Sequence, residues 1–228
     1  MSVAFSRKHF LRCSLRLGFV WAAALLAPGQ AFAATAVGSV AKIRGTASRL
    51  RGGEQIVLKG GEELAAGDIV TTLADSRLRI ALKDGSQLNL GELTRMTIAA
   101  FDFAAETKQR EAAFDLKAGL LQAVTAKAAP GSSFVIRTQN TVAATRSTDW
   151  IVSAGPAETS VYVLEGKVDV GKSSGAFRSL SSAEQDKAML LGAGQSVTIG
   201  KMALGAALAP KAADAAKLDR LIAGLALD

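Results

Sequence analysis

In the run Arg77-Leu78-Arg79-Ile80-Ala81-Leu82-Lys83, the residues Leu78, Ile80 and Leu82 fall on one side of an extended chain. Arg77, Arg79 and Lys83 fall on the other. A period of two with one wet face describes a half-buried strand and rules out a helix. Asp84-Gly85 follows at once, and Ser86-Gln87-Leu88-Asn89-Leu90 repeats the alternation. Asp-Gly between two such runs is a hairpin signal, because Gly readily takes the positive φ that the turn requires. The same grammar returns in Phe134 to Thr138, in Thr141 to Thr145, in Val161 to Val170 where Gly166 joins two β-rich runs, and in Gly194 to Ile199. Roughly a dozen or more short strands at regular spacing predict one all-β domain over residues 34–200, built as a sandwich, barrel or short β-solenoid. No long helical pattern interrupts it, which disfavours parallel α/β folds.

The N-terminus has a different character. Arg7, Lys8, Arg12 and Arg16 precede an apolar run from Leu17 to Ala27, and Pro28-Gly29-Gln30 and Ala31-Phe32-Ala33 follow. Charge, apolar run and small-residue cleavage site, in that order, read as a secretory signal peptide over residues 1–33. An uncleaved membrane anchor is the competing reading, since no charge lies between Arg16 and Lys42. The apolar run of 11 residues covers about 16 Å as a helix, against a hydrocarbon core of about 30 Å. That shortfall favours cleavage, a periplasmic location and no stable membrane insertion afterwards. Lys8 stands where a twin-arginine signal needs its second arginine, and Cys13 precedes the apolar run where a lipoprotein cysteine follows it.

Cleavage changes the chemistry available. His9 is the one histidine and Cys13 the one cysteine, and both leave with the signal. A Ser-His-Asp or Cys-His arrangement is then out of reach, as are imidazole and thiolate metal ligands. Four of the 27 basic residues leave and none of the 20 acids, so the net charge of +7 falls to +3. No cluster of cations interleaved with aromatics remains to follow a phosphate backbone, and nucleic acid is not an expected partner. Without disulfides, burial of apolar surface has to stabilise the fold.

Carboxylates are the remaining candidates for acid/base work. Asp68, Asp75, Asp84 and Asp149 could supply a glycosidase pair, but most sit beside Gly or Ser at turns, where Asp accepts local backbone hydrogen bonds. Ser39-x-x-Lys42 copies the first element of a serine-lysine acyl-transfer pattern, yet it falls in the predicted first strand and no Lys-Thr-Gly follows. No calcium-loop spacing and no cofactor motif is present. The expectation is a protein that is not an enzyme.

Two charged segments, Asp102 to Glu111 and Lys172 to Lys187, read as solvated connections or hairpin tips. Beyond Lys201 the chain becomes Ala-rich, and Leu218, Leu221, Ile222 and Leu225 form an apolar stripe at helical spacing. This 201–228 extension is read either as an amphipathic helix covering an open end or edge of the β-domain, or as a docking helix.

Five pieces, in order, resemble the FecR-type periplasmic domain: Leu64 to Thr72, Ala81 to Gly91, Leu116 to Val124, Phe134 to Thr138 leading to Ala143 to Trp150, and Val161 to Val170 with Glu165-Gly166. The resemblance covers roughly residues 37–200. It implies an all-β domain outside the cytoplasmic membrane that binds or relays a signal and does not catalyse. Ser147 stands where the family has Gly, which puts the close turn there in doubt. Regulators of this type join the domain to a cytoplasmic sigma-binding domain through a membrane helix. With 16 residues ahead of the apolar run, this chain reads instead as a free-standing sensor domain with a protein or envelope component as partner. The candidate patch is Arg146, Asp149 and Trp150, at the family's most distinctive turn, with a structural Arg-Asp pair as the alternative. A glycan-binding or carbohydrate-active β-protein is the second class, with Trp150 and Tyr162 as stacking rings or as core.

Overall fold

The computed structural model describes residues 35–173, 188–200 and 209–227. The segment read as an export signal and most of the Lys172 to Lys187 connection lie outside the described residues. Seventeen strands, β1 to β17 in chain order, fill most of the remainder. One layer is ordered β4-β1-β6-β7-β9-β12-β13-β16-β17. Its members are β1 (Ala36–Arg44), β4 (Glu63–Ala65), β6 (Arg77–Leu82), β7 (Gln87–Leu90), β12 (Asp149–Ala154), β13 (Glu158–Glu165), β16 (Gln195–Gly200) and β17 (Lys211–Ala212). The second layer is ordered β3-β2-β5-β8-β9-β10-β11-β14-β15. It holds β2 (Ala47–Arg51), β3 (Glu54–Val57), β5 (Ile69–Thr72), β8 (Arg95–Ala104), β10 (Ser133–Arg137), β11 (Thr141–Thr145), β14 (Lys167–Lys172) and β15 (Met189–Gly192).

Strand β9 (Gln109–Val124) belongs to both layers. Its first part pairs with β8 and, in parallel, with β10, and its last six residues pair with β7 and β12. The crossing falls at Gly119, whose φ is +100°. A Cβ there would stand 2.4 Å from the Cα of Thr94, so both the dihedral and the space demand glycine. Every other pairing is antiparallel. Beyond the first strand of each layer the strand number rises from one end to the other, as in a solenoid, but the core is that of a sandwich. Leu78, Ile80, Leu88, Trp150, Val161 and Val163 from one layer meet Met96, Ile98, Phe114, Leu116, Phe134 and Val168 from the other in one continuous cluster.

The alternation that predicts strands therefore describes which side chains enter this core. Leu78 and Ile80 are fully buried, and β6 pairs with β7 through Ala81 and Gln87. Between them Gly85 N donates to Leu82 O at 3.0 Å and Leu82 N to Ser86 O at 2.9 Å, so the Asp-Gly turn is a three-residue loop. Gly166 joins strands of different layers, since β13 and β14 do not pair with each other.

The one helix among the described residues, α1 (Ala215–Ala223), follows Asp214, whose carboxylate accepts from Lys217 N at the helix start. It lies on the outer face of the first layer, a correction to the expected end or edge. Leu218, Leu221 and Leu225 pack on Ile151, Tyr162, Leu120 and Leu164. The stripe read from the sequence is also shorter than expected: Ile222 is 43% exposed, and Leu225 is buried beyond the last helical residue. Residues 209–227 form a strap. It starts beside β16 through β17 and ends with Leu227 O accepting from Lys42 Nζ of β1 at 2.9 Å.

Candidate functional site

The outer face of the first layer carries a polar ladder next to the strap. Arg79 Nε donates to Asn89 Oδ1 at 2.8 Å, Asn89 Nδ2 to Gln122 Oε1 at 3.1 Å, and Gln122 Nε2 to Asp149 Oδ1 at 2.8 Å. Four strands, β6, β7, β9 and β12, are thus tied across their solvent side, because each residue sits on the outward phase of its strand. At the far end Asp149 faces Glu165 in register. Partial burial pushes the Asp149 carboxyl up, the Gln122 hydrogen bond pulls it back, and the Glu165 charge adds to the rise.

The three candidate contact residues do not share one surface. Trp150 is 0% exposed and inside the core, which corrects its placement in a partner patch. Arg146 is exposed, Asp149 is half-buried on the ladder, and no ion pair joins them among the described residues. Ion pairs there are Arg51–Asp68, Arg110–Asp84 and Arg137–Asp115. The arginine that organises the corner is Arg110, whose Nη2 donates to Arg146 O at 2.8 Å. It lies in the segment read as solvated, yet it is 1% exposed. Its phase was available in the sequence: Arg110, Ala112, Phe114 and Leu116 alternate on one side, which is the core side.

The corner itself is rigid. Thr148 N donates to Thr125 Oγ1 at 2.7 Å, and Thr148 Oγ1 donates to Lys167 O at 3.0 Å. Ser147 has no positive φ. The close approach comes from Gly166, where a Cβ would stand 2.8 Å from Ser147 O, so glycine at 147 is not needed.

The turn carboxylates are held individually. Arg51 donates through Nε at 2.6 Å and Nη2 at 2.7 Å to the buried Asp68, which also accepts from Ala65 N at 2.8 Å. Asp84 accepts from Ser86 N at 3.0 Å and from Arg110 Nη1 at 2.5 Å. Asp149 accepts from Gln122, and Asp75 is exposed. None of the four is bonded to another. Among the described residues no group of three His, Cys, Asp or Glu side chains is arranged to hold a metal. Tyr162 is buried under the strap with Lys217 Nζ 5.7 Å from its ring centroid, so neither it nor Trp150 presents a face to a sugar. No described helix is long and apolar enough to cross a membrane.

Residues 68–169 match the FecR protein family, and the chain contains a FecR-type domain. Two solved structures of a candidate anti-sigma factor from Parabacteroides distasonis are similar to it. One superposes with a TM-score of 0.51 at 16% identity over 68% of this chain and 64% of that one. The other has a TM-score of 0.50 at 16% identity, covering 68% and 63%. The chain thus spans just under two thirds of those proteins, and the likeness is one of fold. No curated protein matches.

Proposed function

We propose that the chain is an exported, non-enzymatic FecR-like domain protein that binds a protein or envelope component in periplasmic signalling or scaffolding. Residues 1–33 are the signal that is removed, 34–200 the domain and 201–228 an extension whose residues 209–227 strap its outer face. The observation that carries this reading is a FecR-type domain in which three of the four candidate carboxylates, Asp68, Asp84 and Asp149, are each bonded to a structural partner. The candidate anti-sigma factor fold of its structural neighbours supports a role in signalling. Arg146 and Asp149 are proposed contact residues, with Trp150 as the core post behind them. The glycan alternative loses its stacking rings to the core and the strap.

The test is site-specific photo-crosslinking in living cells, with the probe at exposed positions 57, 73, 93, 146 and 190 of the full chain, together with the mass of the mature protein. A discrete protein adduct from any position and an N-terminus at residue 34 are expected. No adduct anywhere, or sugar hydrolysis abolished by Asp149→Asn, overturns the proposal.

A further inference from the structure

At one end of the strands, three turns meet. They join β1 to β2, β5 to β6 and β7 to β8, and they bring Leu73 and Leu93 together. Leu93 N donates to Leu73 O at 3.2 Å, and Leu73 N to Thr46 O at 3.1 Å. Both leucines point to solvent, 52% and 64% exposed, although burial is the ordinary fate of leucine.

Leu93 has φ of +51° and Asp75, on the neighbouring turn, +53°. A bulky side chain seldom adopts this left-handed backbone, and it persists only where the surroundings over-determine it. Here they do. The buried Thr72 Oγ1 donates to Gly91 O at 2.6 Å and accepts from Thr94 N at 3.0 Å. The buried Thr94 Oγ1 accepts from Leu120 N at 3.0 Å, and Glu92 Oε2 accepts from Asp75 N at 2.8 Å. The protein thus spends two hydroxyl clamps on holding an exposed leucine in a strained conformation.

Beside this rim stand four cations. Arg44 is directly opposite Arg77 across β1 and β6, and Lys42 opposite Arg79. Like charges in cross-strand register destabilise a sheet, and none of the four makes an ion pair among the described residues. Arg77 Nε is buried with no protein acceptor. Two unfavourable features, strain and charge repulsion, therefore converge on one surface that also exposes apolar side chains.

We propose that this rim, Leu73 and Leu93 with Arg44 and Arg77, is the docking surface of the domain, and that its occupant is an acidic, leucine-rich type of protein segment. Charge complementarity selects the acidic partner, since Arg44 and Arg77, which have no carboxylate partner among the described residues, gain most from carboxylates. Preordered leucines supply desolvated anchors without an ordering cost at binding. A bilayer fits less well: two leucines with no aromatic residue beside them offer little apolar area to insert, whereas a protein segment can direct its carboxylates to Arg44 and Arg77 rather than to the exposed Asp75 and Glu92. The inference rests on the binding role proposed above and sets this rim in place of Arg146 and Asp149 as its docking surface.

The experiment compares full chains carrying the photo-crosslinker at 73 or 93 with those carrying it at 57, 146 or 190, in living cells. A protein adduct from 73 and 93 is expected. Arg44→Glu should lower its yield about tenfold while raising Tm, because an opposed like pair becomes an opposite one. Lys59→Glu, an exposed cation elsewhere, should leave both unchanged. Leu93→Gly should raise Tm by about 2–4 °C and weaken the adduct formed from position 73. Adducts confined to 57, 146 or 190 overturn the rim and leave the binding role standing, whereas no adduct at all overturns both. A phospholipid adduct removes the protein partner, and a Tm that falls in both Arg44→Glu and Leu93→Gly shows these residues to be structural.

Discussion

Arg110 and Asp84 belong to different layers and lie 26 residues apart, yet Nη1 of one meets Oδ2 of the other at 2.5 Å with both side chains sealed from solvent. Ser86 Oγ donates to the same carboxylate oxygen at 2.6 Å, and the guanidinium sits 5.1 Å from the Phe134 ring centroid. Through Arg146 O the arginine also holds the corner before β12. The pair is a bolt between the layers, and its energetics follow from burial. Arg110→Met strands a buried carboxylate and is expected to cost about 3–5 kcal/mol. Asp84→Asn keeps the bond from Ser86 N on its one oxygen but turns an NH2 towards Ser86 Oγ and the buried Arg110, and should also destabilise the fold. The double variant should be less destabilised than the two costs added together, by about 1–3 kcal/mol. Urea denaturation of the four proteins measures this coupling, and strict additivity would show that the two residues act independently.

At the crossing of β9, Gly119→Ala places a methyl group against the Thr94 backbone at 2.4 Å and an L side chain at φ +100°. The Thr94 side chain could rotate away, but its Cα cannot. We expect a loss of about 3 kcal/mol or more, and Thr94→Ala in the same chain should not restore it. Thermal denaturation followed by near-ultraviolet circular dichroism of Trp150 reports the outcome, because that ring is in the core.

These two sites separate what the sequence discloses from what it withholds. The strands were legible because Leu78, Ile80 and Leu82 alternate with charges, and the Asp84-Gly85 turn because its chemistry is local. The passage of β9 from one layer to the other was not, since nothing in Lys117-Ala118-Gly119-Leu120 distinguishes a crossing from a bulge. Arg110 is hidden for a different reason: the charge of its neighbours Lys108 and Glu111 masks its alternation with Ala112, Phe114 and Leu116. Of the candidate site, Arg146 and Asp149 were recognisable as residues of a turn. That Trp150 points inward follows from its phase with Val152 on β12, which only the register with β9 and β13 establishes. The left-handed Leu93 leaves no trace in sequence, because a leucine in a turn carries no sign of its dihedral angle.

The strap makes a contrasting pair of predictions. Leu225 is buried against Ile151 and Tyr162, whereas Ile222, three residues earlier and equally apolar, faces solvent. Leu225→Ala is expected to cost about 2 kcal/mol, at the low end for a buried leucine because the satellite cluster can relax. Ile222→Ser should stay within about 0.5 kcal/mol. Chemical denaturation distinguishes this from the simple helical stripe, which requires both changes to destabilise alike.

Asp149 links the polar ladder to pH. Its folded carboxyl is raised above the unfolded value by burial and by Glu165, so the folded state disfavours the ionised form relative to the unfolded chain. The stability this group contributes is whole below the unfolded aspartate value of about 3.9 and is lost as pH rises through the folded one. Asp149→Asn retains an oxygen that can accept from Gln122 and cannot ionise. The variant should therefore melt higher than the native protein at neutral pH, with the difference closing as pH falls below about 4. Asp115, also raised by burial against the pull of Arg137, titrates in both proteins and cancels from the difference. Melting curves from pH 3.5 to 8 decide the matter: a variant less stable at pH 7 would mean that the charge of Asp149, and not just its hydrogen bond, holds the end of the ladder.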